Sequence, residues 1–315
     1  IFLGIMQSWL WFLLLFIITK SAYSLSLVFY DAMLPDVTTD ERMDIVSSQG
    51  YAWGYIGSCI PFVLCLILVL MYDSLGINMN VAMILAFALI ALWWLLLTIP
   101  LLISYKQIHY VEVEDHVAYN TWKRLANIFN ELRENRKVLL FLIAFFFYID
   151  GVYTIIDMAT AYGTALGFDT TSLLLALLLT QIVAFPAAIT FGKMSQKVAN
   201  HKLIFICIFA YLCIALYAIT LAEQYQFWIL AFFVGLFQGA IQSLSRSYFG
   251  RLIPPEKSGE YFGIYDICGK GAAFLGTFVV SSVSQLTNSM NLGVGAIAIM
   301  FVFGLYFFYK TNEIK

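Results

Sequence analysis

The sequence predicts an all-α membrane protein, a bundle of membrane-crossing helices built as two related halves. Three observations predict it. Of 315 residues, 62% are hydrophobic and 11% charged, against about 25% charged in soluble domains, and the mean hydropathy is +0.87. Apolar runs of bilayer length recur along the whole chain. Their Leu, Ile, Phe and Ala richness, without the polar/apolar alternation of barrel strands, argues helices. Finally, Lys and Arg are confined almost entirely to alternate connections.

The runs define spans at about 8–30, 50–71, 81–103, 138–160, 170–191, 203–221, 227–248, 262–285 and 292–309. Arg42 follows the first span. Lys106, Lys123, Arg124, Arg133, Arg136 and Lys137 follow the third. Lys193, Lys197 and Lys202 follow the fifth, Arg246, Arg251 and Lys257 end or follow the seventh, and Lys310 and Lys315 end or follow the ninth. The opposite connections, 72–80, 161–169, 222–226 and 286–291, have no Lys or Arg. By the positive-inside rule the basic connections and the C-terminus face the cytoplasm, and the first span enters from outside.

An internal repeat supports two halves. "LPDVTTDERMDIVSSQGYAWGYIG" (34–57) aligns with "IPPEKSGEYFGIYDICGKGAAFLG" (253–276), pairing Pro35 with Pro254, Glu41 with Glu260, Gly50 with Gly269 and Gly57 with Gly276. The copies lie six spans apart in one orientation, as in a parallel six-helix repeat. The chain also starts without Met inside apolar sequence. The expectation is an N-terminally truncated piece of a twelve-helix protein. Residues 1–103 would hold helices 4–6, 104–137 the cytoplasmic linker, and 138–315 helices 7–12.

Within the linker, "NTWKRLANIFNELREN" places Trp122, Leu125, Phe129 and Leu132 at helical spacing. This predicts an amphipathic helix along the membrane face. His109, Glu112, Asp115 and His116 lack metal-site spacing and read as solvated linker. Cys59, Cys65, Cys207, Cys213 and Cys268 fall in spans with no CxxC and read as small buried side chains. No phosphate loop, nucleophile elbow or zinc-protease motif is present. The expectations are no enzyme activity, no cofactor, no metal and no nucleic-acid partner.

Polar residues inside spans carry the functional reading, because ionisable groups at membrane depth are costly unless they face a bundle interior or a wet cavity. Asp150, Tyr153, Thr154 and Asp157 form a stripe in the fourth span, Lys20, Tyr23 and Ser24 one in the first, and Gln238, Gln242 and Ser245 one in the seventh. In the twelve-helix frame these are helices 4, 7 and 10. A central cavity is their common destination. For Asp150 the competing readings are cavity lining and a structural pair with Lys20. Asp157, nearer the outer end, is read equally as a solvated helix end. Asp266 and Lys270 form an i,i+4 pair that Arg246 could join as a gating or structural network. Gly235 and Gly239 form a GxxxG helix-packing element.

The segments "SLVFYDAMLPDV", "YIDGVYTIIDMATAYG", "LLLTQIVAFPAAITFGKMSQKVANHK", "GLFQGAIQSLSRSYFGRLIPPEKSGEYFGIYDICGKGAAFLGT" and "VSQLT" resemble the vacuole-effluxer (autophagy-related amino-acid effluxer) branch of the major facilitator superfamily and its bacterial relatives. The superfamily loop G-x-x-x-D-R-x-G-x-K is matched at Gly192 and Lys197, but Gln196 and Ala199 depart from it. The resemblance implies a major-facilitator-type bundle and a secondary transporter working by alternating access. It further implies amino-acid export in eukaryotic members, and residence in the inner membrane of a bacterium or the vacuolar membrane of a fungus. The expected function is export or exchange of a small polar solute, including amino acids, with proton coupling through Asp150 as one option. The rival is a non-transporting receptor or scaffold that keeps the fold.

Overall fold

The computed structural model describes residues 2–6, 8–110 and 117–314, and the surroundings of their side chains except at 117–125, 272 and 273. Nine helices among them are long and apolar enough to cross a membrane. In chain order the helices are α1 (Trp9–Ala32), the short α2 (Leu34–Val37), α3 (Met43–Leu70), α4 (Met79–Ser104), α5 (Val117–Glu134), α6 (Arg136–Ala165), α7 (Thr170–Met194), α8 (Asn200–Ala218), α9 (Gln224–Leu252), α10 (Ser258–Thr287), α11 (Met290–Gly295) and α12 (Ala298–Glu313). The last two share one crossing, interrupted at Ala296–Ile297.

Several helices run beyond their apolar runs. α3 begins at Met43, seven residues before the expected span, because Asp44, Ser47 and Ser48 are buried although polar. Hydropathy alone reads such residues as loop. Pro61, Pro100 and Pro186 lie inside α3, α4 and α7, where each removes a backbone donor.

α6 packs against α10 and α12, and α7 against α9, while α8 lies on α9 and α12. This part is held by an aromatic core. Phe145 stacks on Tyr265 with ring centroids 4.0 Å apart, and Phe249 on Tyr265 at 4.9 Å. Such pairs add about 0.5–1.5 kcal/mol each beyond simple burial. The GxxxG element sits where α9 meets α7. A Cβ at Gly235 would lie 2.7 Å from the Thr180 carbonyl oxygen, and one at Gly239 2.9 Å from Ala188 Cβ.

Residues 1–103 meet this group along α3 with α7 and α9, and along α1 with α10. At Gly192 an added Cβ would fall 2.6 Å from Ser48 Cβ, so α7 and α3 nearly touch. Both repeat copies enter a long helix through a 3₁₀ turn, Asp40–Arg42 before α3 and Pro255–Lys257 before α10.

The linker helix forms as α5 but turns differently from expectation. Ile128 and Leu132 are its buried pair, whereas Phe129 is 56% exposed. The side chains of Trp122 and Leu125 lie outside the described ones. Glu131 fixes α5 to α10, accepting from Lys257 Nζ at 2.6 Å and from the Tyr261 hydroxyl at 3.0 Å. These docking contacts, absent from a simple apolar stripe, set which side of α5 faces the protein.

Candidate functional site

The apolar length of α1, α3, α6, α9 and α10 sets their depth, and their few polar residues converge on one cavity. Its volume is about 430 Å³, and its lining includes Lys20, Tyr23 and Ser24 of α1, Tyr153 and Asp157 of α6, Gln242 of α9, and Asp266 and Lys270 of α10. Tyr30, Asp31 and Tyr51 close the end nearest the basic loops.

A guanidinium lies beneath that floor. Arg246 Nη1 donates to Asp31 Oδ1 at 2.9 Å, Nε to Ser47 Oγ at 2.9 Å and Nη2 to the Ser47 carbonyl at 3.1 Å. Tyr30 and Tyr51 present ring faces 5.2 and 4.8 Å from its Cζ. One residue of α9 therefore ties α1 to α3. The expected partnership of Arg246 with Asp266 and Lys270 is corrected: Lys270 Nζ lies 2.7 Å from Asp266 Oδ1 and also donates to the Ser24 carbonyl at 3.0 Å, while Arg246 turns to Asp31.

A second ion pair sits one turn further out. Arg251 Nη2 donates to Asp44 Oδ1 at 2.7 Å, and the same carboxylate accepts from Asn200 Nδ2 and Ser247 Oγ. Ser48 and Ser243 exchange a hydrogen bond at 3.1 Å between α3 and α9. The whole basic-loop end of the interface is thus closed by charged and hydroxyl groups. Removing one member of a buried ion pair costs about 3–5 kcal/mol, since the other charge is stranded.

The α6 stripe divides between two neighbours. Tyr153 and Asp157 line the cavity. Asp150 and Thr154 do not: both are fully buried, and Asp150 Oδ1 accepts from the backbone N–H of Gly276 at 3.2 Å and from Thr154 Oγ1 at 3.4 Å. A Cβ at Gly276 would collide with Thr154 and Asp150, so glycine is what lets α10 approach. No ion pair joins Asp150 to Lys20 among the described residues. Lys20 lines the cavity together with Asp157 instead, so both geometric expectations for Asp150, cavity lining and a pair with Lys20, are replaced by a seat against α10. Gln242 accepts from the Tyr55 hydroxyl at 3.3 Å; Gln238, 6% exposed, lies deeper between α9 and α7 in a separate, mostly apolar pocket.

Outside the membrane, Asp36 accepts from the Tyr105 hydroxyl at 2.5 Å and from the backbone N–H and Nδ1 of His109, both at 2.9 Å. Partial burial opposes its charge, but these donors together hold its carboxyl below the usual range. Burial, then the bond to Asp36, pushes the Tyr105 hydroxyl up to about 12. His109 is thereby a tether of the linker; Glu112, Asp115 and His116 lie outside the described residues.

Sequence reasoning missed Asp31, Asp44, Ser47, Asn200 and Arg251 as site residues. The available signal was Asp31 directly after "SLVFY", a carboxylate at the immediate end of the first apolar run.

A helical bundle with a charged cavity between two groups of helices, closed at one end by ion pairs, has the architecture of the major facilitator type. The chain belongs to the vacuole effluxer Atg22-like family, whose model matches residues 1–315. It is similar to the uncharacterized MFS-type transporter YxiO of Bacillus subtilis, 40% identical over 301 residues that cover 95% of this chain and 70% of that protein. It is also similar to autophagy-related protein 22 of Coccidioides immitis, 26% identical over 282 residues that cover 81% of this chain. The chain spans 46% of that fungal relative's length. Among solved structures it resembles the crystal structure of FucP, a major facilitator superfamily transporter in the outward conformation, with a TM-score of 0.62 and 14% identity over 90% of this chain and 72% of FucP. The chain is a multi-pass membrane protein and not an enzyme.

Proposed function

We propose that this protein is a secondary transporter that moves a small polar or zwitterionic solute by alternating access, with the described state closed toward the cytoplasm. The observation that carries this reading is the cavity itself: Lys20 and Asp157 present opposite charges to it, while Arg246 with Asp31 and Arg251 with Asp44 seal its basic-loop end. Amino acids fit the pairing of an ammonium near Asp157 with a carboxylate near Lys20, in keeping with the effluxer description of the family. Gln242 and Tyr153 would supply hydrogen bonds. Residues 1–103 and 138–315 are the parts of two halves that rock about the cavity, and 104–137 is their link.

Thermal unfolding of the purified full-length protein against a panel of amino acids and neutral polar metabolites tests this, followed by uptake or export in proteoliposomes. Stabilisation and transport of a zwitterion, both lost on Lys20→Gln, are expected. Absence of any solute effect and any flux across the panel would favour a receptor or scaffold.

A further inference from the structure

We infer that the cavity selects a zwitterion with a neutral, hydrogen-bonding side chain, a carboxamide or hydroxyl, and that Gln242 and Tyr153 read that side chain. This rests on the amino-acid reading above and adds what the ammonium and carboxylate of the solute do not decide.

Charge sets the first limit. Of the ionisable side chains lining the cavity, Asp266 is held by Lys270 at 2.7 Å and Asp31 by Arg246 at 2.9 Å. Lys20 and Asp157 are the lining charges without an ion pair among the described residues. One of each sign matches the two ends of a zwitterion. A third charge, on the side chain, would leave water with no counter-charge to meet it, which is costly. Acidic and basic side chains are disfavoured on that ground.

Hydrogen bonding sets the second limit. From Lys20 the cavity descends along α1 past Tyr23 and Leu27 to Asp31, about 16 Å at about 1.5 Å per residue, and Tyr153 lies one turn below Asp157 on α6. A side chain therefore has room to extend toward the floor. Leu27 is the one wholly apolar side chain among the described lining. The hydroxyls of Tyr23, Tyr30, Tyr51 and Tyr153 have no protein hydrogen-bond partner among the described residues.

Gln242 is the more specific sign. It is only 9% exposed, lines the cavity, and accepts the Tyr55 hydroxyl at Oε1 at 3.3 Å. Its Nε2 has no protein partner among the described residues. A buried carboxamide fixed at its acceptor end offers its N–H donors to the occupant of the cavity. An aliphatic side chain would strip water from these groups and return nothing. A site built to hydrogen-bond its ligand rejects the analogue that lacks the bonding group. A side-chain carbonyl or hydroxyl accepts from Gln242 and Tyr153 and meets the need of both.

Glutamine, glutamate and methionine have side chains of similar length and differ in charge and hydrogen bonding, so together they separate the two limits. Each is titrated against the purified full-length protein by melting temperature, then as a competitor of labelled glutamine flux in proteoliposomes. Glutamine is expected to act at concentrations at least about tenfold below the other two. Y153F removes one hydroxyl. Y55F/Q242L removes both partners of a buried hydrogen bond and strands neither. In each variant the preference for glutamine over methionine should fall at least about fivefold. Equal weakening toward all three solutes in both variants would make Gln242 and Tyr153 structural and overturn their role. Methionine or glutamate acting as strongly as glutamine on the unaltered protein would overturn side-chain selection and leave the zwitterion reading standing. No effect from any of the three would overturn that reading, and this inference with it.

Discussion

Arg246 of α9 and Asp31 of α1 are 215 residues apart in sequence and joined by a hydrogen-bonded ion pair of 2.9 Å. Their side chains are 3% and 15% exposed. The pair, with the tyrosine faces around it, is the floor of the cavity and the closure of the interface at once.

Loss of that pair is expected to loosen the closed end. R246A should lower stability by about 3–5 kcal/mol, because Asp31 is then left buried without its cation. The double variant D31N/R246Q should lose less than the sum of D31N and R246Q, as residues in direct contact couple. A cysteine at Ser47 should become alkylatable from the cytoplasmic side in R246A and stay protected in the unaltered protein. Strictly additive losses with unchanged labelling would mean the pair neither couples nor closes anything.

The two carboxylates of α6 should respond differently. D150N keeps an oxygen to accept from Gly276 and Thr154, so it should fold and melt close to the unaltered protein, whereas D150L, which strands those donors, should lose about 1–3 kcal/mol. D157N and K20Q, at the cavity wall, should keep stability and lose solute stabilisation and flux. Measured side by side, a larger transport defect in D150N than in D157N would return Asp150 to the pathway and displace the present assignment.

How much of this was legible in the sequence follows from what periodicity can encode. Span number and orientation come from apolar length and from where Lys and Arg fall, which are properties of the chain itself, and the nine helices among the described residues appear within about five residues of the apolar runs except at the start of α3. The α6 stripe was legible as polar, but its division was not. Asp150 and Thr154 form one i,i+4 row, Tyr153 and Asp157 the next, and only the position of α10 decides that the first row meets Gly276 while the second meets the cavity. Asp31 and Asp44 stand at helix ends, where a carboxylate usually means solvent; their arginines come from a helix some two hundred residues later. Partner choice across an interface is a tertiary fact with no local pattern.

Orientation has a direct check. With cysteines placed singly in an otherwise cysteine-free protein, one at Asn78, in a connection without Lys or Arg, should react with an impermeant reagent in intact cells. One at Asn127 of α5, on the basic side, should react only after permeabilisation. The opposite pattern would invert the bundle.

Docking of α5 should depend on pH through Glu131. The hydrogen bond from Lys257, the largest influence, holds its carboxyl below the usual glutamate range. A depressed carboxyl contributes stability that is fully present above its unfolded value, about 4.3, and lost as pH falls through its lower folded value. Amide exchange of residues 126–134 should therefore be slow at pH 7 and, after correction for intrinsic rate, accelerate only below about pH 4. E131Q should show the fast exchange already at pH 7. Identical protection in both proteins at pH 7 would remove Glu131 from the attachment.

The linker is moored at both ends, to α2 through the Asp36 bonds to Tyr105 and His109 and to α10 through Glu131. It therefore works as a leash of fixed length. As the proposed halves rock apart at the cytoplasmic face, the chain length between His109 and Glu131 limits the separation of the two moorings. The eight steps from His109 to Val117 span at most roughly 26–29 Å at about 3.3–3.6 Å per residue, and the fourteen helical steps from Val117 to Glu131 add about 21 Å at about 1.5 Å per residue, about 47–50 Å in all. That span is a mechanical ceiling on how far the two moorings can part, set by chain length and independent of which solute is carried.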